Sequence, residues 1–183
     1  MSTEPPPAGR LDPALPFIQV RIAVLTISDT RDEESDTSGR LLADRIAGDG
    51  HIVAMRDWVK DDVASIRERL GAWCESPDVD VIISTGGTGL TARDVTPEAA
   101  RALFEKEIEG FQTVWHNVSY ESVALSTLQS RACAGLAKGK FIFCLPGSNG
   151  ACRDGWDKII RCQLDRRYRP CNLVELMPRL VER

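Results

Sequence analysis

The chain has 183 residues, 43% of them hydrophobic, and a formal net charge of −4 at pH 7, which suits one domain with its own buried core. Basic residues are scattered among acids, and we interpret the one local cluster, Arg161 to Arg169, as a solvated or interface face rather than an RNA site, so no nucleic acid is expected as a partner. No apolar run is long enough to cross a bilayer and no signal segment is recognisable, which predicts a cytoplasmic protein with no membrane partner.

The six cysteines are spread along the chain without a C-x-x-C motif or a nearby pair of histidines. That spacing does not support a zinc site or a redox motif. We therefore expect reduced thiols that are mostly buried.

The first part of the chain predicts a tail followed by alternating strands and helices. Residues 1–16 are rich in proline and predict a disordered tail, while residues 17–183 predict a single domain with a C-terminal tail from about residue 165. Apolar patterning predicts strands at 20–27, 52–59 and 79–84 and helices at 38–47, 63–74 and 97–106. This order predicts parallel strands with helices on both faces of the sheet.

After residue 106 the alternation stops. Residues 111–120 carry Phe111, Val114, Trp115 and Val118 at helical spacing, which predicts a core stripe. Residues 132–137 and 140–145 predict a hairpin around Lys138-Gly139, and residues 150–164 predict a helix. The expected fold is α/β: a three-layer α/β/α sandwich with a mostly parallel sheet carrying one antiparallel strand.

The most informative stretch is residues 84–98, STGGTGLTARDVTPE, in which a buried strand leads into a glycine-rich loop, a carboxylate and a helix start. Ligands of parallel sheets gather at the carboxyl ends of the strands, where this loop is expected to lie. Glycine lets the backbone approach a ligand closely, so loop amides and threonine hydroxyls can cradle a phosphate. A tight turn with no ligand is the alternative interpretation. The predicted binding residues are Thr85, Gly86, Gly87, Thr88 and Gly89.

Asp94 follows this glycine-rich loop. Helix initiation is explained without it, because Thr96 can cap the next helix, Pro97 suits its first turn and Glu98 suits its dipole. A carboxylate beside a phosphate nest repels the ligand unless a cation lies between them, so Asp94 is predicted to bind Mg²⁺. The alternative is a cap or a solvated loop residue.

Two further loops follow predicted strands. Pro146, Gly147 and Ser148 put a second glycine turn at the same sheet edge, where they are predicted to form a wall of the substrate pocket and Ser148 to offer its hydroxyl. A plain turn is the alternative there. After the second strand come Asp61 and Asp62, and Asp62 is expected to cap the following helix.

Several separated motifs then occur together in one order: TGGTG at 85–89, DVTPEA at 94–99 and LPGS at 145–148. This combination resembles the MogA/MoaB family of molybdenum-cofactor biosynthesis proteins. The segments STLQSRA at 126–132, ACR at 151–153 and RPCN at 169–172 are similar to the MoaB branch.

The resemblance implies a molybdopterin-binding MogA-like fold and a homo-oligomer, either a trimer or a hexamer. It implies transfer of AMP from ATP to the terminal phosphate of molybdopterin, with Mg²⁺ as cofactor, ATP and molybdopterin as substrates and pyrophosphate as a product. A non-catalytic molybdopterin-binding or carrier paralogue is the alternative. A scaffolding role, as in the related domain of gephyrin, would require fused domains.

The family pattern also implies roles for residues outside the glycine-rich loop. It places a second acidic residue, Asp61, in contact with the metal or the nucleotide, and implies that Asp61 and Asp94 are both catalytic. Asp36 and Ser38 match a family element near the pterin phosphate, with helix capping as the alternative. The expected oligomer interface comprises the segment around Trp115 and an apolar tail formed by Leu173, Val174, Leu176 and Met177. The alternative is that this tail packs on its own subunit.

Overall fold

The elements follow from a computed structural model that describes residues 9–30, 32 and 34–181. The strands are β1 (Arg10–Leu11), β2 (Arg21–Ile27), β3 (Ile52–Val59), β4 (Val81–Thr85), β5 (Lys106–Glu107), β6 (Cys133–Ala137), β7 (Lys140–Leu145) and β8 (Tyr168–Arg169). The helices are α1 (Thr37–Gly48), α2 (Val63–Glu75), α3 (Thr96–Arg101), α4 (Glu109–Val123), α5 (Asn149–Gly155) and α6 (Arg161–Gln163). A 3₁₀ segment, Ala124–Gln129, follows α4, and a π-helical stretch, Trp156–Ile160, joins α5 to α6.

The central sheet has six strands in the order β3-β2-β4-β7-β6-β5. Strands β3, β2, β4 and β7 are parallel, and β6 runs antiparallel to both of its neighbours. Every residue of β4 is buried, as expected for a parallel strand covered by helices on two sides. The predicted mixed sheet with one antiparallel strand is confirmed.

Two apolar cores lie on opposite faces of this sheet, because successive side chains of a strand point in opposite directions. Val24 and Ile83 pack with α1, α4 and α5 on one face. Leu25 and Ile82 pack with α2 and α3 on the other face. The three-layer α/β/α arrangement is therefore confirmed, and it leaves the carboxyl ends of the parallel strands free to carry a site.

The structure corrects the predicted helix at 97–106. Helix α3 ends at Arg101, and Lys106 and Glu107 form β5, which pairs with β6. The expected cap at Thr96 is also wrong: Val95 is the N-cap residue and makes no side-chain cap, while the Thr96 hydroxyl donates to the Gly86 carbonyl at 2.9 Å. In the predicted core stripe, Phe111 and Trp115 are buried, but Val114 is 45% exposed.

Both ends of the described chain pack on the domain. Strand β1 pairs antiparallel with β8, so residues 10–11 are ordered against the expectation of a disordered tail, while residues 1–8 lie outside the described residues. In the C-terminal tail, Val174 is buried and Leu173 and Met177 pack on the core, whereas Leu176 is exposed. Leu173, Val174 and Met177 therefore pack on their own subunit, which is the alternative that the sequence analysis left open for this tail.

The cysteines are free thiols, all buried except Cys171, as predicted from their spacing. Within residues 9–30, 32 and 34–181, the helices are too short or too polar for any of them to cross a membrane.

Candidate functional site

A cavity of about 770 Å³ opens at the carboxyl ends of β2, β4 and β7. One wall is formed by backbone loops that follow these strands, including residues 86–89 and 146–148, and by Asp94. The opposite wall comes from α4 and the 3₁₀ segment after it. The topology therefore brings the two predicted glycine loops together with Asp94, because parallel strands end at one edge of the sheet.

The glycine-rich loop approaches its neighbours too closely for side chains at its first two glycines. Gly86 and Gly87 have positive φ angles of 111° and 63°, which side chains rarely tolerate. A Cβ on Gly86 would collide with the Ile27 carbonyl oxygen, and a Cβ on Gly87 would collide with the Asp61 carboxylate. Glycine is required at both positions by space as well as by backbone conformation.

Backbone hydrogen bonds to β7 and α3 fix this loop. The Gly86 amide donates to the Leu145 carbonyl at 3.0 Å, and the Thr96 amide donates to the Gly87 carbonyl at 2.9 Å. Among the described residues, the amides of Gly87 and Thr88 have no acceptor. Two unpaired amides in succession on a fixed loop are suited to an anionic ligand.

Arg131 clamps the far end of the same loop. Its Nε donates to the Gly89 carbonyl at 2.7 Å, and a terminal nitrogen donates to the Asp94 carbonyl at 2.6 Å. The other terminal nitrogen pairs with Glu98, and the Arg131 amide donates to the Thr88 carbonyl at 2.9 Å. The sequence analysis gave Arg131 no role, because its side-chain partners are 33 to 42 residues away along the chain.

Asp94 lines the cavity with an ionised carboxylate. Burial opposes ionisation of this group, but hydrogen bonds from the Thr91 hydroxyl and amide, at 2.7 and 2.8 Å, outweigh it and hold the pKa of Asp94 below its ordinary value. Asp94 therefore closes a turn around Thr91 and does not cap α3. One of its oxygens accepts both of these bonds.

Asp61 lies behind the glycine-rich loop rather than on the cavity wall. Its Oδ1 is buried against Gly87 and has no hydrogen-bond partner among the described residues. Burial raises the pKa of Asp61, and the negative charges of Asp29 and Asp94 raise it further. Asp62, next to it, caps α2 by accepting from the Ser65 amide at 2.8 Å, which confirms that expectation.

These two carboxylates fit a hard cation such as Mg²⁺ in part. A buried carboxylate oxygen without a donor is the kind of group that a cation satisfies. Among the described residues no three acidic, histidine or cysteine side chains converge as a complete metal cage. Mg²⁺ commonly takes one or two carboxylates and completes its shell with phosphate oxygens and water, so an incomplete cage is compatible with Mg²⁺ delivered together with a phosphate ligand.

Asp36 and Ser38 are fully buried and do not line the cavity. Asp36 is the N-cap residue of α1, in place of the Thr37 or Ser38 cap considered from sequence. Its carboxylate accepts hydrogen bonds from the Thr26 hydroxyl, the Ser38 hydroxyl, the Gly39 amide, the Arg56 guanidinium and the Trp58 indole. Its contacts are fully explained by capping and by packing, and the predicted pterin-phosphate role stays a prediction.

Thr85 and Ser148 have different surroundings. The Thr85 side chain is buried, and its hydroxyl donates to the Pro146 carbonyl at 3.1 Å, which ties the two glycine loops together from behind. Ser148 is exposed on the cavity wall and caps α5 by accepting from the Ala151 amide at 3.1 Å. Its hydroxyl proton remains available to a ligand.

The opposite wall carries hydroxyl groups that the sequence analysis did not assign. The Trp115 indole, predicted to be at an interface, is buried inside its own subunit and donates to the Ser130 hydroxyl at 2.9 Å. The Thr127 hydroxyl is buried and has no partner among the described residues. The signal that could have identified this wall is a run of hydroxyl residues at three- and four-residue spacing: Ser119, Ser122, Ser126 and Ser130.

Known proteins are similar to this chain in sequence and in fold. Residues 23–166 match the family described as "Probable molybdopterin binding domain". Molybdenum cofactor biosynthesis protein B of Escherichia coli is 51% identical over 156 residues, which are 85% of this chain and 92% of that protein.

Solved structures agree. A crystal structure of molybdenum cofactor biosynthesis protein B has a TM-score of 0.81 at 40% identity and covers 91% of this chain and 98% of its own. The molybdopterin biosynthesis enzyme MoaB from Thermus thermophilus has a TM-score of 0.73 at 27% identity and covers 90% of this chain and 98% of its own. The chain therefore belongs to the molybdopterin-binding family of molybdenum-cofactor biosynthesis proteins.

Proposed function

We propose that the chain is an adenylyltransferase that moves AMP from ATP to the terminal phosphate of molybdopterin and releases pyrophosphate. The observation that supports this most is one loop in which the amides of Gly87 and Thr88 and, directly behind them, a buried carboxylate oxygen of Asp61 all lack a partner among the described residues. Amides attract phosphate and carboxylates attract its counter-cation, so the pair suits a metal-bound polyphosphate better than either a neutral ligand or a lone anion.

In this reaction an oxygen of the pterin phosphate attacks the α-phosphorus of ATP, and the bond from that phosphorus to the bridging oxygen of pyrophosphate breaks. The nucleophile is already an anion, so no side chain needs to act as a strong general base. The residues of the site act by binding and orienting both phosphates, which supplies much of the rate in phosphoryl-type transfer. The amides of Gly87 and Thr88 donate to one phosphate group, while Ser148 offers its hydroxyl from the facing loop.

Asp94 and Asp61 would hold Mg²⁺. When bound, this ion neutralises the charge of the two phosphate groups that must approach each other. Asp94 is suited to this role because its carboxylate is ionised and is held in place by Thr91. Asp61 is suited to it because its Oδ1 accepts no hydrogen bond from the described residues.

The same proposal extends to assembly and location. We propose a cytoplasmic homo-oligomer, a trimer or a hexamer, in which the exposed apolar residues of α4 and the following 3₁₀ segment face a second copy. Apolar side chains that are between 45% and 72% exposed there would otherwise remain in water: Val114, Tyr120, Val123, Leu125 and Leu128. Light scattering on the native chain checks the oligomeric state, and a monomer would remove this part of the proposal.

The decisive experiment mixes purified protein with molybdopterin, ATP and Mg²⁺ and measures adenylylated molybdopterin and pyrophosphate. We expect both products in equal amounts, and none when the metal is chelated. If pterin binds but no product forms under any of these conditions, the chain is the non-catalytic carrier instead. Failure to bind molybdopterin would exclude both functions.

A further inference from the structure

An arginine at the rim of the cavity is held by an exposed carboxylate. The Arg93 guanidinium donates to both oxygens of Asp29 at distances of 2.6 to 3.0 Å. Among the described residues, all of its hydrogen bonds go to this one partner. Arg93 belongs to the loop after β4 and Asp29 to the loop after β2, so the ion pair bridges two of the loops that end at the site.

The pair borders the cavity, although neither of its two side chains lines it. Ser28 and Thr30, on either side of Asp29, line the cavity, and so does Asp94, next to Arg93. Asp29 also accepts from the Asp61 amide at 3.3 Å, which brings the third loop to the same point. The positive charge of Arg93 therefore acts on the carboxylates of Asp29 and Asp61.

Exposure makes this ion pair easy to exchange. The Arg93 side chain is 65% exposed and the Asp29 side chain is 37% exposed, and such surface pairs contribute little to stability. A phosphate group carries more charge than a carboxylate and matches the planar fork of arginine with two oxygens at once. A polyphosphate that reaches the rim therefore competes well for the Arg93 guanidinium.

Arg131, which lies between the 3₁₀ segment and β6 and binds the same loop, shows the contrast. Its guanidinium donates to two backbone carbonyls and pairs with Glu98, so moving it would release the loop itself. Arg93 contacts no backbone carbonyl of the described residues and leaves the loop unchanged when it turns away from Asp29.

We propose that Arg93 is an anion-binding residue of this site and that Asp29 is its competing partner: the guanidinium leaves Asp29 when a triphosphate binds and returns when it departs. Asp29 then lowers the affinity for the anion, which favours release of a polyphosphate product. This inference rests on the proposed function, because it assigns a residue to the triphosphate of that reaction.

The test is a double-mutant cycle read by calorimetric binding, with inorganic tripolyphosphate plus Mg²⁺ as the probe. Arg93→Gln is expected to bind about 10-fold or more weakly, because a charge-assisted contact is lost. Asp29→Asn is expected to bind about 2- to 5-fold more tightly, because an exposed competing pair is removed. The gain from Asp29→Asn should be smaller in the Arg93→Gln background than in wild type, since Asp29 competes with the anion for Arg93, and Arg93→Lys should lie between wild type and Arg93→Gln.

A matched control comes from Arg101, an arginine of α3 that pairs with Glu107 at 2.8 Å, because neither Arg101 nor its two neighbours in the sequence line the cavity. Arg101→Gln removes the same charge and should leave tripolyphosphate affinity within 2-fold of wild type. The proposal that Arg93 exchanges Asp29 for the anion is contradicted if Arg93→Gln binds tripolyphosphate like this control, or if Asp29→Asn binds it more weakly than wild type. The proposed function survives both results, whereas wild-type protein that fails to bind tripolyphosphate and ATP would remove both proposals.

Discussion

Asp61 follows β3 and Asp94 follows β4, the two strands that flank β2, yet the surroundings of the two carboxylates are opposite. Asp94 accepts two hydrogen bonds from Thr91, and these hold its pKa below the ordinary value. Asp61 has a buried oxygen without a donor among the described residues, and burial together with nearby negative charge raises its pKa. The difference fits the two roles proposed above: Asp94 is already ionised, whereas Asp61 would need a bound cation to compensate its charge.

The largest effect should follow from Asp94→Asn. Asparagine keeps an oxygen that can accept from Thr91, so the turn should survive while the charge is lost. Adenylylation should fall by at least about 100-fold. Losing a residue that only supports a metal ligand commonly costs about 10- to 100-fold, and losing the ligand itself should cost more. Pterin binding should be retained, and both quantities can be measured on one preparation by product formation and by fluorescence titration.

Asp62→Asn is the matched control for that variant. It removes the same charge from an exposed neighbour of Asp61, and asparagine is an equally good helix cap, so activity and stability should stay near wild type. Equal loss of pterin binding and turnover in Asp94→Asn would show instead that Asp94 shapes the pocket.

The next effect concerns what keeps Asp94 in place. Arg131→Met removes the donors to the Gly89 and Asp94 carbonyls and leaves the apolar stem, so we expect a loss of about 2 kcal/mol in the free energy of unfolding. Urea denaturation measures that loss. Arg131→Lys can restore one of the contacts and should recover part of it, while full stability in Arg131→Met would mean that water replaces the clamp.

The sequence predicted the parallel sheet, its antiparallel strand and the loops of the site, because apolar periodicity and glycine turns are local signals. It failed where distant residues decide the structure. Strand β5 has two residues and exists through its pairing with β6, while Thr96 turns from a cap into a contact with the Gly86 carbonyl. Likewise, Asp36 is buried by donors from Arg56 and Trp58, 20 and 22 residues away.

The smallest effect should come from Asp61, and it depends on pH. A carboxyl whose pKa is raised by folding binds its proton more tightly in the native state, so its stabilising contribution is complete below the ordinary pKa of 3.8 and is lost as pH rises through the raised value. Asp61→Asn should therefore be more stable than wild type at pH 7, by no more than about 1 kcal/mol because solvent screens a partly exposed group. That advantage should shrink as pH falls towards 4.

Magnesium sharpens the same comparison. A cation that satisfies the unpartnered oxygen of Asp61 should stabilise wild type and not Asp61→Asn, so millimolar Mg²⁺ with ATP should reduce or reverse the difference between them at pH 7. Thermal unfolding of both proteins at pH 4, 5.5 and 7, with and without Mg²⁺ and ATP, measures all of these differences. A result in which wild type and Asp61→Asn unfold alike at every pH while Asp94→Asn is inactive would mean that Asp61 and Asp94 do not share a cation and that Asp61 only packs against Gly87.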